Sequence, residues 1–511
     1  MQLDFTLRDY QVNHNKAAAI GMRDHKHVIV QAPGGTGKTK QFVSIAWGAA
    51  NKGQCVLILT DRINIYKQNI KEAKAIGINP DTPDNLIIEL GKVYVAMAQT
   101  LISRLYLLDQ FQSLEKEVIV LVDECHSGIF NIILDKLTNR KTAGFTATPH
   151  FKWAKHLPKY YKACIPGEQI DWFIQNNWLC TYTHISRGPK ELESYLTKNS
   201  EGEYTNSSQE NWFEKPGIYA GLSDDLRSEA AKYTKCMVFC ASIKNAHKTY
   251  EELKAAGFNC AIGHSNTKLL KSINTTEEKE IEKFRDLKSG CDILVSVSSY
   301  TTGFDFPEVD LLMLYRAFGS FILYMQSLFR ANRKKPSMRF KVYDYGNNWK
   351  RHGLYYYDRD WMSLWNQEPT KQASDKLDVY SVKECDNCGA IISLMARICE
   401  YCQYEQPENE LELKVGVLLD ITEKYEALVG RRISSLSPAE LSVYAKLKQK
   451  LQFAIRVAKS KRQKEKSEQA QTNFLKEFGQ QMGYSEKWYN VQSSMLDKIK
   501  EPLFYTDFIL K

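Results

Sequence analysis

Three glycines, Gly34, Gly35 and Gly37, run directly into Lys38 and Thr39 in the stretch Gln31-Ala-Pro-Gly-Gly-Thr-Gly-Lys-Thr39. Glycines at this spacing let the backbone N–H groups of the loop, that of Thr36 among them, turn inward around a phosphate. Lys38 supplies a point charge for β and γ phosphates, and Thr39 offers a hydroxyl to Mg2+. An apolar run before the loop and a helix-like stretch after it provide the strand-loop-helix setting this chemistry requires. Ala32 stands where the simplest form of the pattern has glycine, so the reading rests on Gly37-Lys38-Thr39 and the flanking strand.

A second constellation is Asp123-Glu124-Cys125-His126, which ends the apolar run Val118 to Val122. A carboxylate pair after a buried parallel strand lies at the sheet edge where ligands of open α/β folds bind. Asp123 is expected to hold Mg2+, Glu124 to orient and activate an attacking water, and His126 to relay nucleotide state toward a polymer-binding surface. Cys125 reads as a spacer with no nucleophilic role.

The elements that must position these residues show in the patterning. His27 to Gln31, Val56 to Thr60, Val93 to Ala96, Val118 to Val122 and Ala143 to Phe145 are strand candidates separated by helix-like stretches. The alternation then restarts with Cys236 to Cys240, Phe258 to Ile262, Ile293 to Val297, Leu311 to Tyr315 and Phe340 to Tyr343. The economical fold class is α/β, with two parallel-sheet domains in tandem over 1–176 and 177–360. Within the second, Gly188 to Asp225 is polar and reads as an insertion or mobile loop without chemistry of its own.

With both boxes placed, the chain resembles superfamily 2 helicases of the DExH type, whose motifs occur in order from residue 7 to residue 333. The resemblance implies two RecA-like domains and ATP as the nucleotide. Leu7-Arg-Asp-Tyr-Gln11 is similar to the family's upstream glutamine motif, which makes Gln11 an adenine contact. Thr60-Asp-Arg62 and Ala98-Gln-Thr-Leu101 resemble segments that touch the nucleic-acid backbone, implicating Arg62, Gln99 and Thr100. Thr146-Ala-Thr-Pro149 resembles the linking motif, so Thr146 and Thr148 would couple hydrolysis to movement. Phe239-Cys-Ala-Ser242 resembles the fourth motif, bringing Ser242 to the nucleic acid. Thr301-Thr-Gly-Phe-Asp305 resembles the fifth, with Gly303 and Asp305 at the nucleotide. Gln326-Ser-Leu-Phe-Arg-Ala-Asn-Arg333 resembles the sixth: Gln326 joins the catalytic set, and Arg330 and Arg333, three apart on one helix face, would reach the same triphosphate as arginine fingers. Phe329 stands where the family has glycine.

Cys385-Asp-Asn-Cys388 and Cys399-Glu-Tyr-Cys402 form two C-x-x-C knuckles with ten residues between them. That spacing suits tetrahedral thiolate ligation of a structural Zn2+ in a ribbon over 380–408, with a disulfide pair as the competing reading. The other eight of the 12 cysteines, such as Cys55, Cys164 and Cys236, read as small core residues.

From 409 to 511 the chain turns helix-rich and basic. Lys446 to Lys466 carries nine lysines and arginines against Glu465 alone, with Tyr444, Leu447, Leu451, Ala454 and Ala458 at helical spacing. Two readings stay open: a solvated helix packed by its apolar side, or a surface that tracks phosphates.

At 511 residues with 43% apolar and 25% charged residues, the chain exceeds one core and excludes disordered and collagenous classes. Its apolar runs are strand-sized, which excludes a membrane helix. The N-terminus lacks the pattern of a secretory signal, so a reducing cytoplasm, bacterial or that of a phage-infected host, is the expected compartment. The formal charge of +9 permits polyanion binding as well as plain solubility. Nucleic acid is the expected partner. The Leu-Arg-x-Tyr-Gln element, similar to that of phage and bacterial DNA helicases of the restriction, repair and branch-migration kind, favours DNA. A long β-hairpin wedge has little room between Asp305 and Gln326.

Overall fold

The structure is a computed structural model that describes residues 6–75, 77–82, 87–150, 152, 154–188, 192–200, 202–229, 232–297, 306–366, 382–393, 396, 398–406, 427–447, 451–467 and 473–496. Its first sheet is formed by β1 (His27–Gln31), β2 (Val56–Thr60), β3 (Val93–Met97), β4 (Val118–Asp123), β5 (Arg140–Thr146) and β6 (Ala163–Pro166), in the order β3-β2-β4-β5-β1-β6. All its pairings are parallel. β2 and β4 are buried at every position, as strands covered by helices on both faces must be, which is why they read as unbroken apolar runs.

The second sheet holds β7 (Thr181–Ser186), β8 (Lys235–Cys240), β9 (Cys260–Gly263), β10 (Ile293–Ser296), β11 (Val309–Tyr315) and β12 (Arg339–Asp344), in the order β7-β12-β11-β8-β10-β9 and again parallel throughout. Lys235, inside β8, is 1% exposed and tolerates burial because its amine donates to the carbonyl of Cys291 at 2.8 Å and meets Asp292 at 3.2 Å.

Sequence patterning passed over β6 and β7. β6 is four residues long and ends in proline; β7 reads Thr-Tyr-Thr-His-Ile-Ser, with no apolar run, because His184 is buried against Asp344 at 3.3 Å. The segment expected as a mobile loop also differs. It carries the helices Leu192–Tyr195, Asn206–Phe213 and the start of Pro216–Glu229. Thr205 caps the second by accepting from Ser208 N, and Phe213, Leu222 and Leu226 enter the core of the second domain. Sparse apolar residues at helical spacing concealed this among polar neighbours.

The chain divides into two compact units, Met1–Tyr355 with Trp361–Val379 and Asp386–Ile391, and Tyr356–Asp360 with Tyr380–Cys385 and Ile392–Lys511. Both parallel-sheet domains lie in the first. The second contains the helices Pro438–Leu447, Leu451–Ser467, Phe474–Gln481 and Glu486–Leu496, packed around Leu441, Ala454, Val457, Ala458, Leu475 and Phe478. The basic helix therefore packs by its apolar side, and two of its lysines turn inward. Burial pulls Lys459 down to about 8, with Asp360 opposing, and lowers Lys461 likewise, its amine donating to the Leu436 carbonyl. No helix among the described residues is long and apolar enough to cross a membrane.

Candidate active site between the two α/β domains

The phosphate loop leaves β1 and enters the helix Lys38–Ala50, for which Gly37, at φ +82°, is the left-handed N-cap. Gly35 has the same φ, so both positions need glycine for conformation. Thr36 closes the loop from within, its hydroxyl donating to Pro33 O at 2.8 Å. Thr39, the second residue of the helix, is partly exposed.

Gln11 lies against this loop. Its Nε2 donates to Thr36 O at 3.1 Å, its Oε1 accepts from Arg8 N at 3.0 Å, and a Cβ on Gly37 would fall 2.6 Å from Nε2. Tyr10 adds a hydroxyl to the same Thr36 carbonyl at 2.9 Å, inside an aromatic group of Trp172, Phe173 and Trp178, with the Arg8 guanidinium 4.0 Å above the Trp178 ring. Sequence reading missed this group; aromatics clustered at 172–178, across the boundary of the two domains, were the available signal.

Lys38 Nζ stands 3.4 Å from Glu124 Oε1 and 3.5 Å from Ala32 O. Glu124 has φ +51°, a left-handed conformation that costs a non-glycine residue about 1–2 kcal/mol and turns its carboxylate off the end of β4 toward the loop. Burial would raise the Glu124 carboxyl, yet Lys38, His126 and Arg330 hold it below its usual range. Asp123, 6% exposed, is raised by burial and by the charge of Glu124. One carboxylate is thus held ionised beside its neighbour, at which the opposing charge of Lys38 is outweighed by burial and by Glu124.

His126 joins three motifs. Its Nε2 accepts from Gln326 Nε2 of the second domain at 3.1 Å; its Nδ1 lies 2.9 Å from Thr146 Oγ1 and 3.3 Å from Glu124 Oε2. Burial keeps the ring's pKa below the ordinary value, Glu124 opposing, so the neutral Nδ1–H form fits both contacts. Thr146 Oγ1 also accepts from Thr148 N at 3.1 Å, and Thr148, wholly buried, has an Oγ1 with no hydrogen-bond partner.

From the second domain, the helix Phe321–Leu328 brings Gln326 to this face, but Arg330 and Arg333 do not share a helix face as expected: the helix ends at Leu328, Arg330 lies in the turn beyond it and Arg333 is in a bridge with Leu179. Arg330 Nε donates to Gln326 O at 3.2 Å, and burial lowers Arg330 to about 10, Glu124 pulling the other way. Arg333 is lowered by burial to about 10 as well, and both remain cationic at neutral pH.

The remaining predicted residues are placed as follows. Gln99 Nε2 donates to Asp61 O at 3.0 Å, drawing the exposed Arg62 and the first turn of the helix Ala98–Ser103, which carries Thr100, to one surface of the first domain. Ser242 is engaged twice: it caps the helix Ile243–Ala255 by accepting from Asn245 N at 3.1 Å and donates to Glu210. Gly303 and Asp305 lie outside the described residues.

The sulfurs of Cys385, Cys388, Cys399 and Cys402 all lie within 4.8 Å of one another, and none is in a disulfide. Cys385 Sγ and Cys402 Sγ are 3.6 Å apart, close to the edge of a thiolate tetrahedron with ~2.3 Å metal–sulfur bonds. Gln406, which sequence reading did not single out, donates from Nε2 to Cys385 Sγ at 3.2 Å. Four thiolates this close repel unless a cation is shared, so the donor set fits a metal ion.

Comparison with known proteins gives the same answer as this geometry. A family model described as "Type III restriction enzyme, res subunit" matches residues 4–151, and one described as "Helicase conserved C-terminal domain" matches residues 220–335. A 51.5 kDa protein of a Lactococcus phage (isolate 7-9) is 24% identical over 406 residues, covering 78% of this chain and 82% of its own. The type I restriction enzyme EcoKI endonuclease subunit of Escherichia coli (strain K12) is 24% identical over 403 residues, 66% of this chain and 34% of that one. Among solved structures, the fragment of an HsdR subunit of a type I restriction enzyme from Vibrio vulnificus YJ016 superposes with a TM-score of 0.53 at 19% identity, over 68% of this chain and 65% of that one. This chain thus spans under two thirds of both restriction proteins.

Two parallel-sheet domains with a phosphate loop on one and paired arginines on the other define a nucleic-acid-stimulated ATPase of the helicase type. Within that class the chain resembles superfamily 2 members of the restriction and phage kind.

Proposed function

We propose that this chain is an ATP-driven motor on DNA, with the nucleotide held between its two domains. The observation that carries the reading is the convergence of Lys38, Glu124, His126, Gln326 and Arg330 from two domains on one loop. Lys38, whose amine meets Glu124 and the Ala32 carbonyl, and the loop amides suit a polyphosphate. Asp123, whose carboxyl burial and Glu124 hold up, suits a divalent cation shared with Thr39. Mg2+ there would neutralise phosphate charge and fix the reacting geometry.

In this reading Glu124, kept ionised by Lys38, orients the attacking water and takes its proton. Arg330 and Arg333 place positive charge where it builds up on the phosphoryl group, so turnover requires the second domain to be docked. His126 and Gln326 report that docking to Thr146 and Thr148. Gln11 positions the loop through the Thr36 carbonyl and lies where an adenine edge would be read. Gly303 and Asp305 complete the nucleotide side by motif position. Nucleic acid would be held through phosphates by the surface of Arg62, Gln99 and Thr100, with Ser242 acting through its helix cap. The four cysteines would hold a structural Zn2+.

DNA as the partner rests on the match to the restriction-enzyme family model and on the Leu7-Arg-Asp-Tyr-Gln11 element, and fork or branched-DNA remodelling in replication, recombination or repair on the helicases which that element resembles. Translocation along duplex without strand separation is the second reading. It is favoured by the course of the chain after β11, where only residues 316–320 precede the next helix and leave no room for a wedge hairpin. The deciding experiment is ATP hydrolysis by wild type and Lys38→Ala with single-stranded DNA, duplex, fork, four-way junction and RNA, beside strand- and triplex-displacement assays. DNA-stimulated turnover lost in Lys38→Ala is expected; stimulation by RNA alone, or unchanged turnover in the variant, would refute the reading.

A further inference from the structure

Phe329, at the position that is glycine in the related family, covers Gly34 of the phosphate loop. A Cβ built on Gly34 would fall 2.4 Å from Phe329 Cγ, 2.6 Å from its Cβ and 2.7 Å from its Cδ2. Gly34 lacks the positive φ of Gly35 and Gly37. What excludes a side chain at 34 is therefore the phenylalanine of the other domain, with no contribution from loop conformation. Next to it Asn332, wholly buried, donates from Nδ2 to Gly34 O at 2.8 Å, and its Oδ1 lies 3.0 Å from where a Cβ on Gly35 would stand. Both residues are fixed from behind: Asn332 O accepts from Cys180 N at 2.8 Å, Phe329 N donates to Met325 O at 2.9 Å, and the Phe329 ring, 4% exposed, meets Tyr355 edge-on at 6.3 Å.

We propose that Phe329 and Asn332 are positioning residues that latch the second domain onto the phosphate loop, so that Arg330 and Arg333 stand at the site before any nucleotide or nucleic acid arrives. This rests on the loop being the nucleotide site. The latch grips only backbone: an aromatic face fills the space a missing Cβ leaves, and an amide takes up the Gly34 carbonyl beside it. Glycine at 329 would remove the apolar half of that grip. An apolar contact and a buried hydrogen bond made to one residue act as a unit, so removing either should release the loop. A nucleotide-free chain with the latch intact binds ATP with the domains already docked; without it, docking must come out of the binding free energy of ATP.

The test uses the full chain without nucleotide and follows hydrogen exchange of the 31–39 amides in wild type, Phe329→Ala, Asn332→Ala, Asn332→Ser, Gly34→Ala and the double variant Phe329→Ala/Gly34→Ala. Exchange of these amides should rise roughly 10-fold in each single variant, the scale of losing one or two buried contacts. The double variant should be no worse than Phe329→Ala, because truncating the ring makes room for the added methyl. In Phe329→Ala, Asn332→Ala and Asn332→Ser, KM for ATP without DNA should rise by a similar factor, while kcat at saturating ATP and DNA changes about twofold at most, since DNA then supplies the docking. Unchanged exchange, or Gly34→Ala losses that add fully to those of Phe329→Ala, would overturn the latch. Lys38→Ala separates the two ideas: loop protection retained with turnover lost supports both, and protection retained with turnover unaffected refutes the nucleotide site while leaving the latch in place.

Discussion

Gln326 Nε2 and His126 Nε2 stand 3.1 Å apart, joining the sixth motif of the second domain to the acidic box of the first. The amide donates, so the imidazole accepts there and keeps its proton on Nδ1, 2.9 Å from Thr146 Oγ1. A single neutral ring thus spans both domains and the linking motif. Gln326→Leu removes the donor and leaves a buried acceptor, a loss of ~1–3 kcal/mol. DNA-stimulated kcat should fall roughly 5–100-fold, with ATP affinity nearly unchanged. A fall in affinity with kcat intact would place Gln326 in ground-state binding instead.

The same ring sets a pH dependence. Burial holds its pKa below the usual ~6.5, so it is neutral at and above that pH and charges only as pH falls through the depressed value. Protonated Nε2 cannot accept from Gln326, and the stability linked to the neutral ring is lost in the same direction. Stimulated turnover should be level near pH 8 and decline as pH falls through about 7, where Asp123 takes a proton, and further as His126 charges. Asp123, held up by burial and Glu124, titrates on the same side. The His126 share is therefore the part of the acid limb missing from His126→Gln, and identical profiles would remove His126 from the coupling path.

Arg330 and Arg333 are expected to act on the transition state. Replacing either with lysine loses the planar fork while keeping the charge, and alanine loses both. Turnover should drop ~10³-fold in Arg330→Ala, with nucleotide binding followed by fluorescence nearly retained. Equal losses of binding and turnover would show that these residues hold the ground state.

Arg62 is exposed and lies beside Gln99, whose amide fixes the Asp61 carbonyl. If this surface tracks phosphates, affinity for DNA falls steeply with salt, and Arg62→Ala lowers the slope of log K against log salt by about 1. An unaltered slope moves the contact elsewhere.

The cysteine cluster predicts one tightly held Zn2+ per chain by metal analysis, reduced below half in Cys399→Ser. Within the first unit, Gly389 O accepts from Ser186 N at 2.8 Å and Cys388 O from Arg187 Nη1 at 2.7 Å, tying one knuckle to β7. Chelation should therefore speed amide exchange at Ser186 as well as at the cysteines. Zinc-free protein with unchanged exchange would mark the sulfurs as inert.

The sequence by itself determined the two parallel-sheet α/β domains and pointed to the residues proposed for their chemistry. Local spacing decides a phosphate loop, because glycine conformations and a helix start belong to one short segment. The inner strands β1, β2, β4 and β8 were legible because burial on both faces leaves only apolar choices at most positions. The edge strands β6 and β7 were not, since contacts such as His184 with Asp344 form 160 residues apart. Nor was the fate of the segment after Gly188, whose helices are held by a few apolar anchors. Only tertiary structure decided that Ser242 is occupied in capping, that Lys459 and Lys461 turn inward, and that Phe329 lies on Gly34. These depend on which side chains meet across domains or helices, and a pattern read along one chain carries no distance between such residues.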